Sequence, residues 1–422
     1  MKKRFLSLGL AVMMAASLTA CGGGSKTETS AAVEKTEDSK AADSKAEDTS
    51  AAAEGDTTAA AEGETAAPAE GEAFVIGGIG PITGAAAAYG NAVKNGIDLA
   101  VKEINAAGGI NGYQVVYQFQ DDENDPEKSV NAYNALKDAH MQMLVGTVTS
   151  KPCIAVAAET VNDNMFQITP SGSAVECVAN DNAFRVCFSD PDQGKASAQY
   201  IGANKLATKI GVIYDSSTEY SSGIYESFLA EAPAQGLEVV AEEAFTADSN
   251  TDFSVQLDKC KEAGAELVFL PIYYQEASII LKQASDKEFA PIFFGCDGMD
   301  GILSVENFDT SLAEGLMLLT PFSADEAGSQ DFVKAYEAAY GEVPLQFGAG
   351  AYDAVYAIKE AAEKAGITPD MSVSDICDAM KTAMTEITVD GLTGAQMTWN
   401  AAGEPEKAPK AAKIVNGVYV MQ

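Results

Sequence analysis

The sequence predicts an α/β fold of two lobes, each a mostly parallel sheet with helices on both faces. Three observations predict it. From Phe74 onward, short apolar runs alternate with segments of helical periodicity, the pattern of parallel strands joined by crossover helices. About 350 residues remain once a leader and a low-complexity stretch are set aside, enough for two separate cores. Two proline-marked stretches, Phe188–Gln193 and Thr320–Asp325, divide that remainder into two halves.

The chain opens with MKKR, a basic start, then the apolar run FLSLGLAVMMAASL and the tetrapeptide Leu18-Thr19-Ala20-Cys21. This reads as a secretory signal over residues 1–20, too short and wrongly flanked for a membrane span. The tetrapeptide resembles a bacterial lipobox, which implies that Cys21 becomes the lipidated first residue. Residues 21–72 then form a linker of Ala, Glu, Ser, Thr, Lys and Gly. It has no aromatic residue, so it cannot bury enough apolar surface to offset chain entropy, and a disordered tether is expected.

Phe74, Val75, Ile76 and Ile79 form the first buried strand, and the turn Gly77–Thr83 is expected to end it. Val93, Ile97, Ala100, Val101 and Ile104 recur at helical spacing and are stopped by Gly108-Gly109. Tyr113–Gln120 completes a βαβ unit. Further strands are expected at Met141–Val145, Met165–Thr169, Lys209–Tyr214, Leu237–Glu242, Glu266–Pro271, Pro291–Phe294 and Gly315–Thr320, with a last pair at Ala395–Asn400 and Lys413–Met421. Helices are expected at Glu127–Ala139, Cys153–Asn162, Ser221–Gln235, Asp252–Ala263, Gln275–Asp286, Gln330–Tyr340, Gln346–Lys364 and Val373–Met384. In open sheets of this kind, ligands bind beyond the carboxyl ends of the strands.

Composition excludes several chemistries. The net charge is −35, and loss of Lys2, Lys3 and Arg4 with the signal leaves 24 bases against 62 acids, or −38. Such a chain is a poor partner for nucleic acid or an anionic membrane surface. The single histidine, His140, falls at a helix end, so a His-rich metal site is impossible and a Ser-His-Asp triad would depend on it alone. The Gly77-Gly78-Ile79-Gly80 run lacks the third glycine of a dinucleotide loop, because Thr83 stands there. No cofactor or metal is expected. Six cysteines follow Cys21: Cys153, Cys177, Cys187, Cys260, Cys296 and Cys377. Their spacings match no CxxC pattern. Cys260 and Cys377 read as buried helix thiols, while Cys177 and Cys187 flank a short polar segment and form a candidate local disulfide.

Several motifs in order resemble the leucine/isoleucine/valine-binding proteins of bacterial ABC importers, of the type I periplasmic binding protein fold. They are GPITG at Gly80–Gly84, Tyr89-Gly90, INAAGGING at Ile104–Gly112, DDENDP at Asp121–Pro126, LVGTVTS at Leu144–Ser150, ITPSGSA at Ile168–Ala174, SDPDQG at Ser189–Gly194, FLPIYYQEA at Phe269–Ala277 and FFGCDG at Phe293–Gly298. The resemblance implies a hinged cleft and three crossings between lobes. Lobe one would be 73–188 with 322–392, and lobe two 189–321 with 393–422. A disulfide frequent in that family would join positions 124 and 149, which here are Asn124 and Thr149. That bridge is absent.

A free amino acid needs hydroxyls and amides for its carboxylate, a carboxylate for its ammonium, and an apolar wall for its side chain. Ser150 follows a strand and precedes Pro152, so it presents its hydroxyl and the amides of a helix start; a plain N-cap has the same form. Ser171 and Ser173 flank Gly172 after another strand, either as a ligand loop or as a polar turn. The resemblance implies that they hold the carboxylate and ammonium. Tyr274 and Asp297 follow strands of the second half. The matching acidic residue of the family faces the ammonium and is often glutamate; Asp300 competes for that role. Tyr89, Tyr220 and Phe347 match aromatic wall positions, though aromatic residues at such places also serve as core.

The sequence therefore reads as a monomeric, non-enzymatic, lipid-anchored binding subunit on the outer face of the cytoplasmic membrane. It would pass a branched-chain or similar aliphatic amino acid to membrane permease subunits. The alternatives are the same fold binding an aromatic amino acid or an amide, or a secreted α/β hydrolase, the latter opposed by the lone histidine and the missing G-x-S-x-G. If Cys21 carries the lipid, Cys21→Ala releases the protein from membranes into buffer on fractionation. Membrane association that survives the substitution contradicts it.

Overall fold

The computed structural model describes residues 71–407 and 409–422. The signal, Cys21 and nearly all of the linker lie outside the described residues.

Among the described residues the chain forms twelve strands and ten α-helices. The strands are β1 (Ala73–Gly80), β2 (Gln114–Asp121), β3 (Met143–Gly146), β4 (Phe166–Thr169), β5 (Ala183–Arg185), β6 (Lys209–Asp215), β7 (Glu238–Phe245), β8 (Leu267–Leu270), β9 (Ile292–Gly295), β10 (Met317–Thr320), β11 (Lys410–Val415) and β12 (Val418–Met421). The helices are α1 (Ala87–Ala106), α2 (Pro126–Asp138), α3 (Ser150–Asp163), α4 (Asp190–Ala203), α5 (Glu219–Glu231), α6 (Ser254–Glu262), α7 (Tyr274–Asp286), α8 (Gln330–Tyr340), α9 (Gln346–Ala365) and α10 (Val373–Met384).

The strands form two sheets. The first, in the order β2-β1-β3-β4-β5, is parallel throughout. The second, β12-β11-β10-β9-β8-β6-β7, is parallel from β7 to β10 and ends in an antiparallel hairpin. Each order reverses once, between β1 and β3 in the first sheet and between β6 and β8 in the second. The central strands are buried on both faces, as continuous apolar runs such as LVFL at Leu267–Leu270 require.

Several elements differ from the sequence reading. β1 runs on through Gly80 instead of ending at Gly77, because its glycines are needed for close packing: a Cβ at Gly77 would sit 2.1 Å from Met141 Sδ. The sequence marks Phe188–Gln193 as a boundary and predicts no helix over 190–203, the range of α4. In fact Ser189 caps it, its hydroxyl accepting from Asp192 N–H, and Pro191 occupies the first turn, where no N–H is needed. Pro233 ends α5 at Glu231, and a tighter helical turn continues to Gln235. Residues 395–400 form only isolated bridges, Met397 to Val389 and Trp399 to Pro405, and no strand. The final segment folds back at Asn416-Gly417 into the β11–β12 hairpin.

The candidate Cys177–Cys187 disulfide is contradicted. Both are free and buried. Cys177 lies in a tight turn at Val175–Val178 and faces α3, whereas Cys187 lies past β5 beside Asp297 and Lys407. Cys260 and Cys377 are buried thiols, as expected. At the two positions that the resemblance would bridge, Thr149 Oγ1 donates to Asn124 Oδ1 at 2.7 Å, so a hydrogen bond joins these two loops.

Candidate functional site

Both sheets reverse their order at the cleft, and the chain segments that leave the two reversal points supply most of its lining. Tyr89 follows β1 and Ser150 follows β3; Tyr220 follows β6 and Tyr274 follows β8. Crevices of this kind form where successive crossovers leave a sheet in opposite directions.

On the first-sheet side, Thr149 is the N-cap of α3 and Ser150 its first residue. Ser150 Oγ accepts from the amides of Ser173 and Ala174 at 3.3 and 3.2 Å. Ser171 Oγ donates to Val148 O at 2.6 Å. Ser173 Oγ is fully buried and has no hydrogen-bond partner. The loop that carries these serines is shaped by Arg185, whose buried guanidinium donates to the carbonyls of Gly172, Ser173 and Ala174. Its Nε lies 3.0 Å from Glu404 Oε2, an ion pair without an aligned hydrogen bond.

On the second-sheet side, Asp297 is only 4% exposed. Tyr220 donates to its Oδ1 at 2.8 Å, and its own N–H donates to Gln193 Oε1 at 3.1 Å. Asp190, at the start of α4, is buried with both carboxylate oxygens unpartnered, and Gln193 Nε2 is likewise unpaired. Asp300 is occupied: Gln346 N–H donates to its Oδ2 at 2.8 Å. It lines a separate cavity of about 680 Å³ between Asn91, Tyr340 and Tyr419, away from the serines.

Aromatic rings join the two sides. Tyr89 donates to Gly298 O at 2.5 Å, and its ring centroid lies 4.2 Å from Phe347 and 4.9 Å from Tyr274. Tyr273 packs on Tyr220 at 4.9 Å. The two spaces flanking Asp297 hold about 10 Å³ each. One is lined by Tyr89, Ser150, Ser171, Tyr220 and Phe347, the other by Ser171, Phe347, Cys187 and Lys407. Each has room for about one water molecule.

The electrostatics are those of carboxylates held without enough counter-charge. Burial pushes Asp297 from an ordinary 3.8 up to about 6, against the hydrogen bond from Tyr220. Asp300 is likewise raised by burial to about 6. Burial raises Asp190 well above the usual range, with the Ser173 hydroxyl acting in the opposite direction. Lys407 is the nearby ammonium. Burial lowers it to about 8, and it donates to Thr393 Oγ1 at 2.9 Å. The arrangement is suited to a small ligand that brings its own positive charge.

A family model described as periplasmic binding protein matches residues 74–418. The chain belongs to the periplasmic binding protein family. It is 31% identical over 298 residues to the Leu/Ile/Val-binding protein homolog 3 of Brucella melitensis, covering 70% of this chain and 80% of that one. It is 31% identical over 299 residues to the Leu/Ile/Val-binding protein BraC3 of Rhizobium johnstonii, with 70% and 80% covered. Among solved structures, the branched-chain amino acid transporter substrate-binding protein LivJ of Streptococcus pneumoniae, in complex with isoleucine, superposes with a TM-score of 0.73 at 28% identity. That match covers 83% of this chain and all of the other. A solute-binding protein of R. palustris in complex with benzoate shares the fold, with a TM-score of 0.73 at 21% identity over 83% of this chain and 95% of that one.

In this periplasmic binding protein the structure brings Tyr89, Ser150, Ser171, Tyr220, Asp297 and Phe347 around one space. Ser173 and Tyr274 do not line it: the Ser173 hydroxyl is buried without a partner, and Tyr274 packs on Tyr89. Sequence reasoning missed Asp190, Gln193, Arg185, Tyr273 and Lys407. The Ser189-Asp190-Pro191-Asp192 run carried the signal for the first two, since a cap followed by proline starts a helix and places its first turn at the cleft. Nothing local marks Arg185 or Lys407, whose partners are distant in sequence.

The raised Asp297 has a consequence for the unliganded protein. Its folded-state value lies above the unfolded one, so its share of stability is present below about 3.8 and is lost as pH rises through about 6. Asp297→Asn removes that share. Thermal melts at pH 4.5 and 7 are expected to show wild type losing about 2 kcal/mol more than the variant over this interval. Parallel losses in the two proteins would show that the carboxyl is not raised.

Proposed function

We propose that the chain is the extracytoplasmic binding subunit of an ABC importer, anchored through a lipid on Cys21. It captures a branched-chain or similar aliphatic amino acid and delivers it to membrane permease subunits. Lobe one is 73–188 with 322–403 and lobe two is 189–321 with 409–422, the third crossing displaced past Gly403 from the 390–394 stretch that the sequence suggests. Supporting that displacement, Trp399 donates to Arg185 O at 2.7 Å and Arg185 N–H donates to Gly403 O at 3.0 Å, so this stretch packs on β5. The lobes part to admit ligand and close over it by hinge motion. No bond is made or broken.

The observation that carries this reading is the buried pair of acids, Asp297 and Asp190, beside serine hydroxyls and backbone amides. Desolvating a zwitterion is costly unless each charge finds a partner. Ser150, Ser171 and the amides of the α3 start would hold the carboxylate. Asp297, with Asp190 and Ser173 behind it, would take the ammonium. Tyr89, Tyr220, Tyr274 and Phe347 would wall the side chain. Support also comes from the named ligands of the relatives, which are leucine, isoleucine and valine.

Calorimetry with leucine, isoleucine and valine tests the assignment. Wild type is expected to bind at least one of them, and Asp297→Asn to bind it roughly 30-fold to several thousand-fold more weakly, the cost of removing one partner of a desolvated pair. Its circular dichroism spectrum should be unchanged. Binding within about threefold of wild type would transfer the role to another acid, and binding of none of the three by wild type would refute the ligand class.

A further inference from the structure

Cys153 and Cys177 come together beneath the serine loops. Cys153 lies in the first turn of α3, three residues after Ser150, and Cys177 lies in the 175–178 turn, four residues after Ser173. With Ala174 they form a small buried cluster of their own, apart from the main core. The Cys177 thiol is directed at Ser150 O, 3.7 Å away, and at the Cys153 sulfur. Gln167 Nε2 approaches that sulfur at 3.5 Å. A Cβ at Gly172 would meet the same sulfur at 3.0 Å, so the loop packs directly on it. The other four cysteines have no such neighbour: Cys187 lies beside Asp297 and Lys407, Cys296 meets Ser197 Oγ, and Cys260 and Cys377 sit in separate helices.

We propose that Cys153 and Cys177 are a redox-active pair that closes to a disulfide under oxidising conditions, tying the start of α3 to the loop of Ser171 and Ser173.

The oxidant is a small-molecule or protein disulfide. The Cys153 thiolate attacks one of its sulfurs and releases the other as a thiolate. Cys177, after giving its proton to solvent, attacks the Cys153 sulfur of the mixed disulfide and releases the second thiol. Two protein thiols are oxidised and one disulfide is reduced. Both sulfurs are buried in the folded chain, so the bond closes during folding, before α3 and the turn pack. The closed ring spans the segment that carries β4, Ser171 and Ser173, restricting the unfolded chain and fixing the spacing of these hydroxyls from Ser150. This inference needs neither the amino-acid ligand nor the lipid anchor.

The test is refolding of the full chain in oxidised and reduced glutathione, followed by alkylation under denaturing conditions and peptide mass spectrometry without reductant. The expected result is one linked peptide pair, Cys153 to Cys177, two hydrogens lighter than the separate thiols, absent from Cys153→Ser and Cys177→Ser. The oxidised protein should melt higher than the reduced one by on the order of 5 °C. Each serine variant should melt at one temperature in either buffer, which separates loss of the bond from loss of a packed sulfur. If Cys153 and Cys177 remain open to alkylation at every glutathione ratio, or if the linked pair is another one, the proposal is overturned.

Discussion

The cleft depends on keeping carboxylates out of water without a full complement of cations. Asp297, Asp190 and Asp300 are all buried, and the raised values of all three record the cost. Arg185 is spent on three backbone carbonyls and Glu404, and Lys407 is directed at Thr393 and Asp353. An isolated carboxylate in a dry site protonates or finds a cation. A binding protein can exploit this, because a ligand that supplies the cation is favoured over one that does not.

The scaffold fixes that arrangement on each side. Parallel strands fix where each loop leaves its sheet, and Arg185 fixes the loop between Thr169 and Ala174 by capping its carbonyls. Contacts across the cleft include Tyr89 on Gly298 and Tyr274, and Gln346 on Asp297 and Asp300. Single hydrogen bonds and ring contacts of this kind are each worth about 1 kcal/mol.

Most of the framework was legible in the sequence because its signals are local. Continuous apolar runs marked β3, β4, β8 and β10, and helical spacing marked α8, α9 and α10 to within a residue or two. What escaped reading had competing or distant causes. Pro191 was taken as a break when its place in a first turn made it a start. β5 is three residues long, too short for any periodicity. The Asp297 side of the cleft could be placed because it follows an apolar strand, yet Asp190 could not, since its orphaned oxygens appear only when α4 is docked. Arg185 and Lys407 act through Glu404 and Thr393, which no spacing rule connects to them. The Cys177–Cys187 pairing failed for the same reason. Ten residues of separation made it plausible, while the turn at 175–178 directs Cys177 to α3.

The central claim is that a buried carboxylate selects the ligand by its ammonium group. Titration calorimetry of wild type at pH 7 addresses it directly, comparing leucine with 4-methylpentanoate, which keeps the side chain and carboxylate but lacks the amine. The account predicts that the deaminated compound binds weaker by on the order of a hundredfold or more, since Asp297 is then desolvated without a partner. Affinities within about threefold of one another would contradict it.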